Sequence, residues 1–199
     1  MIELPTDLPA ELVPLSWLIG VWEGTGVVDY AVGEEEHTQL EFGQRISFSQ
    51  DGEAYLNYSS TSWVLDENRT PLAAETGYWR LSRTLVEGDP GPAMLPGQGA
   101  RPFGTPQAVE TLRSSSGGFD IDVAIIHPDG VSELYIGQVN GPRIDLATDA
   151  VVRTAGAKEY SAATRLYGLV EGHLLWAWDI AALGQDLRTH ASARLAKVD

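Results

Sequence analysis

The chain of 199 residues carries 28 acidic and 13 basic side chains, which gives a net charge of −15, and it contains no cysteine. An acidic chain repels phosphate backbones and anionic lipid surfaces, so no nucleic-acid or membrane partner is expected. The lack of cysteine excludes a disulfide framework, a thiolate ligand and a cysteine nucleophile. Because 43% of the residues are apolar, the sequence predicts one domain over residues 1–199 with a sizeable core.

The start of the chain, Met1-Ile2-Glu3-Leu4-Pro5, lacks the basic and apolar regions of a secretory signal. No stretch approaches the roughly 18 apolar residues that a membrane-spanning helix needs. Together with the absence of cysteine, these features favour a cytoplasmic protein. Residues 1–14 contain three prolines, which exclude a long helix. We expect a single turn, capped by Asp7 and reaching Leu12, that closes one end of a barrel.

Residues 20–26 read Gly-Val-Trp-Glu-Gly-Thr-Gly. In a strand, Trp22 shares one face with Gly20, Gly24 and Gly26, because side chains repeat every two residues. A bulky ring flanked by bare backbone permits a close approach of a neighbouring strand. The stretch therefore predicts the first strand and the closure seam of a small barrel, with a plain glycine-rich strand as the alternative.

From Gly20 onward the apolar residues alternate with period two, and turn signals such as Pro128-Asp129-Gly130 and Asn140-Gly141-Pro142 separate the segments. The pattern predicts about ten short strands in an all-β, antiparallel up-and-down barrel. A barrel of ten strands is wide enough to hold a ligand. The expected strands lie near 20–30, 40–49, 54–65, 75–86, 108–114, 118–126, 132–139, 143–151, 159–170, 173–182 and 186–197.

Several motifs occur in an order that resembles the nitrobindins, which are haem-binding β-barrels. They are Gly20-x-Trp22-x-Gly24-x-Gly26, Glu75-Thr-Gly-Tyr-Trp-Arg80, His127-Pro-Asp-Gly130, Ala157-Lys-Glu159 and Gly184-Gln-x-Leu-x-x-His190. The resemblance covers nearly the whole chain. It implies a lipocalin-like or fatty-acid-binding-like barrel, a haem b cofactor and a possible homodimer. It also implies a ferric haem that binds nitric oxide and isomerises peroxynitrite to nitrate.

Two connections depart from simple hairpins. Fatty-acid-binding barrels place a two-helix lid after the first strand, but residues 31–39 are too few for two helices, so we expect an open mouth. Residues 88–106 contain five prolines and five glycines and predict an irregular loop. Its large apolar residues, Met94, Leu95 and Phe103, could tuck against the barrel or a second chain, or the loop could be a simple surface insertion.

None of the four histidines is paired at the spacing of a zinc site, so neither a structural nor a catalytic zinc is expected. His37 lies in an acidic loop, His127 in a turn and His173 beside a turn, and all three are expected to be structural or exposed. Strict alternation on the last strand groups His190 with Arg188, Ser192 and Arg194, which predicts that its side chain points to solvent.

The resemblance implies the opposite for His190, which matches the histidine that ligates haem iron in the nitrobindins. A bulge or twist near residues 185–188 would then have to rotate His190 inward. The resemblance also implies that Lys158 contacts a haem propionate and that Gly20, Trp22, Gly24 and Gly26 belong to the haem-binding wall. His190 is thus the expected axial iron ligand and catalytic residue. A surface pair with Glu159 is the alternative for Lys158.

One motif departs from the family. Nitrobindins commonly carry Tyr-Pro-Thr-Ile after the first strand, whereas this chain has Tyr30-Ala-Val-Gly33. The departure concerns the distal side of the haem. Two other functions stay open from sequence alone. The barrel could carry a fatty acid or another small apolar ligand, with Arg80 as the buried cation, or the 88–106 loop could be an interaction surface on a barrel with a vestigial cavity.

Overall fold

The computed structural model describes residues 8–30, 38–182 and 187–198. Within these residues, no helix has the length and apolarity required to cross a membrane. A 3-10 helix, Ala10–Leu18, precedes ten strands and one short α-helix. The strands are β1 Gly20–Tyr30, β2 Thr38–Ser49, β3 Leu56–Val64, β4 Pro71–Leu81, β5 Phe119–Ile126, β6 Val131–Asn140, β7 Arg143–Arg153, β8 Tyr160–Val170, β9 His173–Ala182 and β10 Arg188–Lys197.

The ten strands form a closed antiparallel barrel in which each strand pairs with its neighbours in sequence and β10 returns to β1. This confirms the predicted all-β, up-and-down barrel. The end of the barrel at which β1 finishes and β2 begins is called the mouth, and the opposite end is called the base. Residues 31–37, for which the open mouth without a lid was predicted, lie outside the described residues.

The predicted strand at 108–114 is wrong. Residues Pro106–Glu110 form a short helix, α1, whose N-cap Thr105 accepts a hydrogen bond from the backbone N–H of Ala108 at 3.2 Å. A threonine followed by proline is a strong helix start, because proline at the first helical position has no N–H to leave unpaired. Of the predicted strand, only Arg113 makes a β-bridge, to Phe119.

The 3-10 helix closes the base of the barrel, as expected, although it extends beyond the single predicted turn. Residues three apart eclipse one another in a 3-10 helix, so Leu12, Leu15 and Leu18 form one apolar face. All three are fully buried, and the helix packs on β4, β6 and α1. Asp7, the predicted cap, lies outside the described residues, and the N-cap position is Pro9.

The closure seam between β1 and β10 depends on glycine. A Cβ at Gly24 would lie 2.2 Å from the carbonyl oxygen of Arg194, and a Cβ at Gly26 would lie 2.3 Å from that of Ser192. Trp22 is 2% exposed and donates its indole N–H to the carbonyl of Leu18 at 2.7 Å. Trp22 therefore fastens the barrel wall to the 3-10 helix, while the glycines let β10 approach.

The 88–106 loop lies at the base and is tied down by Arg83. The Arg83 guanidinium pairs with Glu11 of the 3-10 helix at 2.7 Å and with Asp89 at 2.7 Å, and it lies over the ring of Phe103 at 4.8 Å. Phe103 packs against the core, whereas Met94 is 98% exposed. The loop thus tucks against the barrel through Phe103 rather than through Met94.

We predict that Gly24→Ala lowers the free energy of unfolding by about 1–3 kcal/mol, because the new methyl group overpacks against the β10 backbone. Gly156→Ala is the matched control, since a Cβ there meets nothing within 4 Å, and it should change stability by less than about 0.5 kcal/mol. Urea unfolding measures both values. Equal effects of the two substitutions would contradict the close approach at the seam.

Candidate functional site

The barrel encloses a cavity of about 380 Å³ near the mouth. Its walls are mainly apolar and aromatic, and they include Val28, Leu40, Phe42, Trp176 and Trp178. Its volume lies within the range of small-molecule sites, about 300–1,000 Å³. The cavity can therefore receive a flat apolar ligand.

His190 lines this cavity even though its strand alternation predicts an outward side chain. Ala191, Ala193 and Leu195 on β10 are buried and face inward, so regular alternation would turn His190 outward. The register with β9 shifts between Thr189 and Ala191, and this irregularity brings two consecutive side chains, His190 and Ala191, to the cavity. A bulge of the kind that the resemblance required is therefore present at His190 itself.

The imidazole of His190 is held from two sides. Burial and the charge of Arg188 lower its pKa, and a hydrogen bond to the backbone of Asp29 on β1 partly opposes this shift. The ring also contacts Trp178 edge to face, with ring centroids 5.5 Å apart. A neutral histidine that donates one ring N–H to a backbone carbonyl has its other nitrogen unprotonated, which is the usual state of a metal-bound histidine.

A buried ion network forms the cavity wall on the side of β4, β6 and β8. Arg165 is 3% exposed, and its guanidinium donates to both carboxylate oxygens of Glu75 at 2.9 Å and to Glu133 at 3.3 Å. It also donates to the hydroxyls of Tyr135 at 3.0 Å and Tyr167 at 3.4 Å. These bonds occupy all three guanidinium nitrogens, so Arg165 is not available to a carboxylate ligand.

The network keeps both of its carboxylates ionised. Burial alone would raise the pKa of Glu75, but the charge and hydrogen bonds of Arg165 outweigh burial and lower that pKa to about 2. Burial likewise opposes the ionisation of Glu133, whose pKa is nevertheless lowered by His127 and Arg165. Glu133 also accepts hydrogen bonds from the hydroxyls of Tyr135 and Tyr160.

His127 joins this network at the edge of the cavity. Its Nε2 lies 2.7 Å from a carboxylate oxygen of Glu133, its Nδ1 lies 3.9 Å from Glu75, and its ring stacks on Trp178. Burial lowers the pKa of His127, but the hydrogen bond to Glu133 and the charges of Glu75 and Glu133 raise it more, so the net shift is upward. His127 thus has the structural contacts expected of it beside the turn, and it also belongs to the cavity wall, which was not predicted.

The cavity wall on the side of β2 and β3 carries polar side chains whose hydrogen bonds are made within the protein. Trp176 donates its indole N–H to Gln44 at 2.7 Å, and Gln44 donates to the hydroxyl of Ser60 at 3.0 Å. In contrast, the buried indole N–H of Trp178 has no acceptor among the described residues. An unprotonated histidine nitrogen, flat aromatic walls and an unpaired donor fit a haem better than a metal ion alone. Within residues 8–30, 38–182 and 187–198, no group of three histidine or acidic side chains could hold a bare metal ion.

The other predicted residues lie away from the cavity lining. Lys158 is exposed in the loop between β7 and β8, at the mouth, where its carbonyl accepts a hydrogen bond from Arg153 at 3.0 Å. His173 lies at the base and contacts Arg194. The motif residues Gly20, Trp22, Gly24 and Gly26 are placed at the closure seam. His37 lies outside the described residues.

Arg80, the cation considered for a fatty-acid carrier, is on the outer surface. Its guanidinium pairs with Asp122 at 2.9 Å, and its side chain is 40% exposed. Because Arg165 is fully bonded within the protein, neither arginine offers a buried positive charge to a fatty-acid carboxylate. The structure therefore does not favour a carrier of that kind.

Sequence reasoning missed the ion network, although the sequence contains a signal for it. Glu75, His127, Glu133 and Arg165 each continue the inward-facing positions of their strands, in phase with buried neighbours such as Trp79, Ile125, Tyr135 and Tyr167. Two acidic and two basic side chains at inward positions of four strands balance in charge. That balance could have predicted a buried cluster.

We predict that Arg165→Met lowers the free energy of unfolding at neutral pH by about 3–5 kcal/mol, because it leaves two buried carboxylates without their counter-charge. The loss should shrink as pH falls and these carboxylates become protonated. In the wild type, the stability contributed by Glu75 is present above its ordinary pKa and is lost as pH falls from about 4.5 towards about 2.

Arg80→Met is the matched control, since it removes an exposed ion pair that is worth about 0–1 kcal/mol. Denaturant unfolding at pH 7 and pH 4 measures both variants. A small, pH-independent loss for Arg165→Met, equal to that of Arg80→Met, would contradict the buried network.

Comparisons with known proteins agree with this geometry. A family model described as the THAP4-like, heme-binding beta-barrel domain matches residues 11–197. A relative from Leifsonia xyli subsp. xyli, named peroxynitrite isomerase, is 81% identical over the full length of both chains. A relative of the same name from Clavibacter michiganensis subsp. michiganensis is 69% identical, also over the full length of both.

The fold also matches a solved structure, the crystal structure of Rv2717c from M. tuberculosis, with a TM-score of 0.69 and 24% identity. The match covers 99% of this chain and 100% of that one. At this identity the likeness shows the shared barrel and nothing finer. The family model spans the barrel from the 3-10 helix to the end of β10, so the chain belongs to the family of THAP4-like, haem-binding β-barrel domains.

Proposed function

We propose that this chain binds haem b through His190 and isomerises peroxynitrite to nitrate. The observation that carries the proposal is the bulge at His190, which directs an otherwise outward imidazole into an aromatic cavity. The hydrogen bond to the Asp29 backbone and the lowered pKa of His190 leave one ring nitrogen free of a proton at neutral pH. A neutral imidazole nitrogen is the donor that haem iron takes from a histidine.

The activity is supported by the relatives. The proteins from Leifsonia xyli and Clavibacter michiganensis are named peroxynitrite isomerase, and both are aligned with this chain over its whole length. The resemblance to the nitrobindins adds nitric oxide as a second small ligand. A bound haem would supply a ferric iron that acts as a Lewis acid.

The protein's own residues would bind the haem, orient the His190 ring and shield the reacting atoms from water. His190 would hold the iron from one side, and its contacts with the Asp29 backbone and Trp178 would fix the plane of the ring. Val28, Phe42 and Trp176 would exclude water from the reacting atoms, which strengthens electrostatic interactions within the cavity.

For Lys158 we propose a contact with a haem propionate. The residue is exposed in a loop at the mouth, where the polar edge of a bound haem would meet solvent. An exposed ion pair is worth only about 0–1 kcal/mol. Lys158→Ala should therefore weaken haem retention by about two- to fivefold in a competition for haem with apomyoglobin, whereas an unchanged retention would favour a surface role beside Glu159.

We further propose that residues 1–199 form one domain, located in the cytoplasm, that assembles as a homodimer. The resemblance to the nitrobindins supports the dimer. The outer wall of the barrel also carries a concavity of about 950 Å³, lined by apolar side chains that include Val27, Leu166 and Val170. Such a surface is suited to a contact with a second copy of the chain.

We predict that the apoprotein takes up one haem per chain with a Soret band, and that His190→Ala abolishes or greatly weakens this band. The catalysed decay of peroxynitrite to nitrate, above the spontaneous rate, should be lost with it. Folding should survive, because His190 is only partly buried and lies near the chain end. Absorbance titration and circular dichroism measure the two properties.

His173→Ala is the matched control, since His173 lies at the base of the barrel, far from the cavity lining. Its haem titration should match that of the wild type. Unchanged haem binding in His190→Ala would overturn the proposal.

A further inference from the structure

His127 has one ring nitrogen, Nδ1, that becomes an N–H donor when the ring is protonated. Its Nε2 is within 2.7 Å of Glu133, but its Nδ1 lies 3.9 Å from the nearest carboxylate oxygen, of Glu75, which is beyond hydrogen-bond distance. Within the described part of the chain, Nδ1 has no hydrogen-bond partner. His127 lines the same cavity as His190, with 12% of its side chain exposed. The His127 side chain is therefore partly accessible from the cavity.

The charges around His127 favour its protonated form. Glu133 from β6 and Glu75 from β4 face its two ring nitrogens, Arg165 from β8 opposes them, and Asp129 lines the cavity beside it. The uncharged groups around it are Trp178 from β9, and Tyr135 and Tyr160, which bond to Glu133. With His127 protonated, the four buried groups Glu75, Glu133, Arg165 and His127 sum to zero charge. With His127 neutral they sum to −1, which would repel an anion.

We propose that His127 is the oxyanion-binding residue of the cavity: held as an imidazolium by Glu133, it attracts an oxyanion and donates its Nδ1–H to it. This inference rests on the proposed function for the identity of the anions, which are the peroxynitrite and nitrate of the reaction or the carboxylate of a haem propionate. The chemistry is the same for each, and a chain with a net charge of −15 needs a local positive charge to admit any of them.

The ring of Trp178 packs against His127 on the cavity wall. Its ring stacks against that of His127, with centroids 6.2 Å apart and planes 14° apart, and its buried N–H has no acceptor among the described residues. The indole N–H groups of Trp17 and Trp79 also have no acceptor among the described residues. The contribution of Trp178 is therefore the stacking that orients the His127 ring at the cavity wall.

The first experiment compares charged and neutral ligands of the ferric haem protein. His127→Gln keeps a side chain that can donate to Glu133 but removes the positive charge. Azide, which is anionic at neutral pH, should bind the variant about tenfold more weakly or worse, as expected when a charge-assisted hydrogen bond is lost. Nitric oxide, which is neutral, should bind both proteins within twofold, and His173→Gln should leave every affinity unchanged.

The pH dependence has a definite sign. Because the pKa of His127 is raised, its charge is present at low pH and is lost as pH rises through that pKa. Azide affinity of the wild type should therefore fall as pH rises, whereas that of His127→Gln should lack this step. Equal azide affinities and equal pH profiles for the two proteins would argue against a free anion at His127.

A second arm identifies the source of the oxyanion. If His127 holds a propionate, His127→Gln should lose haem faster than the wild type but retain haem dimethyl ester equally well. If it holds the free anion, azide affinity changes and haem retention does not. The proposal is overturned if neither azide affinity nor haem retention depends on His127.

A third measurement does not depend on haem. In the apoprotein, the NMR resonances of the His127 ring should report a protonated imidazole at neutral pH, and added nitrate should shift them. A neutral His127 at pH 7 contradicts the inference. It is also contradicted if nitrate leaves the His127 resonances unchanged and neither azide affinity nor haem retention depends on His127. Failure of the wild type to bind haem would instead contradict the proposed function, and the apoprotein titration would then decide on His127 alone.

Discussion

The pairing of β1 with β10 is the contact on which the cavity depends. Gly24 and Gly26 let the backbone of β10 come within a distance that a Cβ would forbid, and this closes the barrel. The same pairing places the Asp29 backbone of β1 against His190 of β10, so closure also supplies the hydrogen bond that orients the imidazole. The motif Gly-x-Trp-x-Gly-x-Gly thus serves the site indirectly, through the strand that it admits.

A second constraint is charge balance inside the barrel. Two carboxylates are buried on the wall, and the barrel can hold them only because Arg165 and His127 compensate for them. Arg165 is enclosed and fully hydrogen-bonded, whereas His127 lies at the cavity surface and can titrate. Arg165 thus stabilises the fold, and His127, whose pKa is raised by the two carboxylates, is placed where a ligand can contact it.

Much of the fold follows from local patterns. Period-two alternation and turn residues located ten of the eleven predicted strands, since each strand has one face in the barrel and one in solvent. The prediction of a strand at 108–114 failed because the helix start at Thr105-Pro106 outweighs a short run of residues that favour strands. The site was harder to predict, because His190 faces inward through a bulge at its own position, and bulges leave no regular trace in a sequence. Only the family resemblance identified His190 as a site residue. The cluster around Arg165 was also missed, because it depends on contacts between residues up to 90 positions apart.

The central claim is that the bulge directs the imidazole of His190 into the cavity, where it would hold the iron of a bound haem. The most direct test is a haem titration of His190→Gly with and without free imidazole, which is small enough to enter the space that the side chain leaves. The account predicts that His190→Gly alone shows a weak or absent Soret band and that imidazole restores the wild-type spectrum. A normal spectrum in His190→Gly without imidazole would contradict it, because the iron would then take its ligand from elsewhere in the chain.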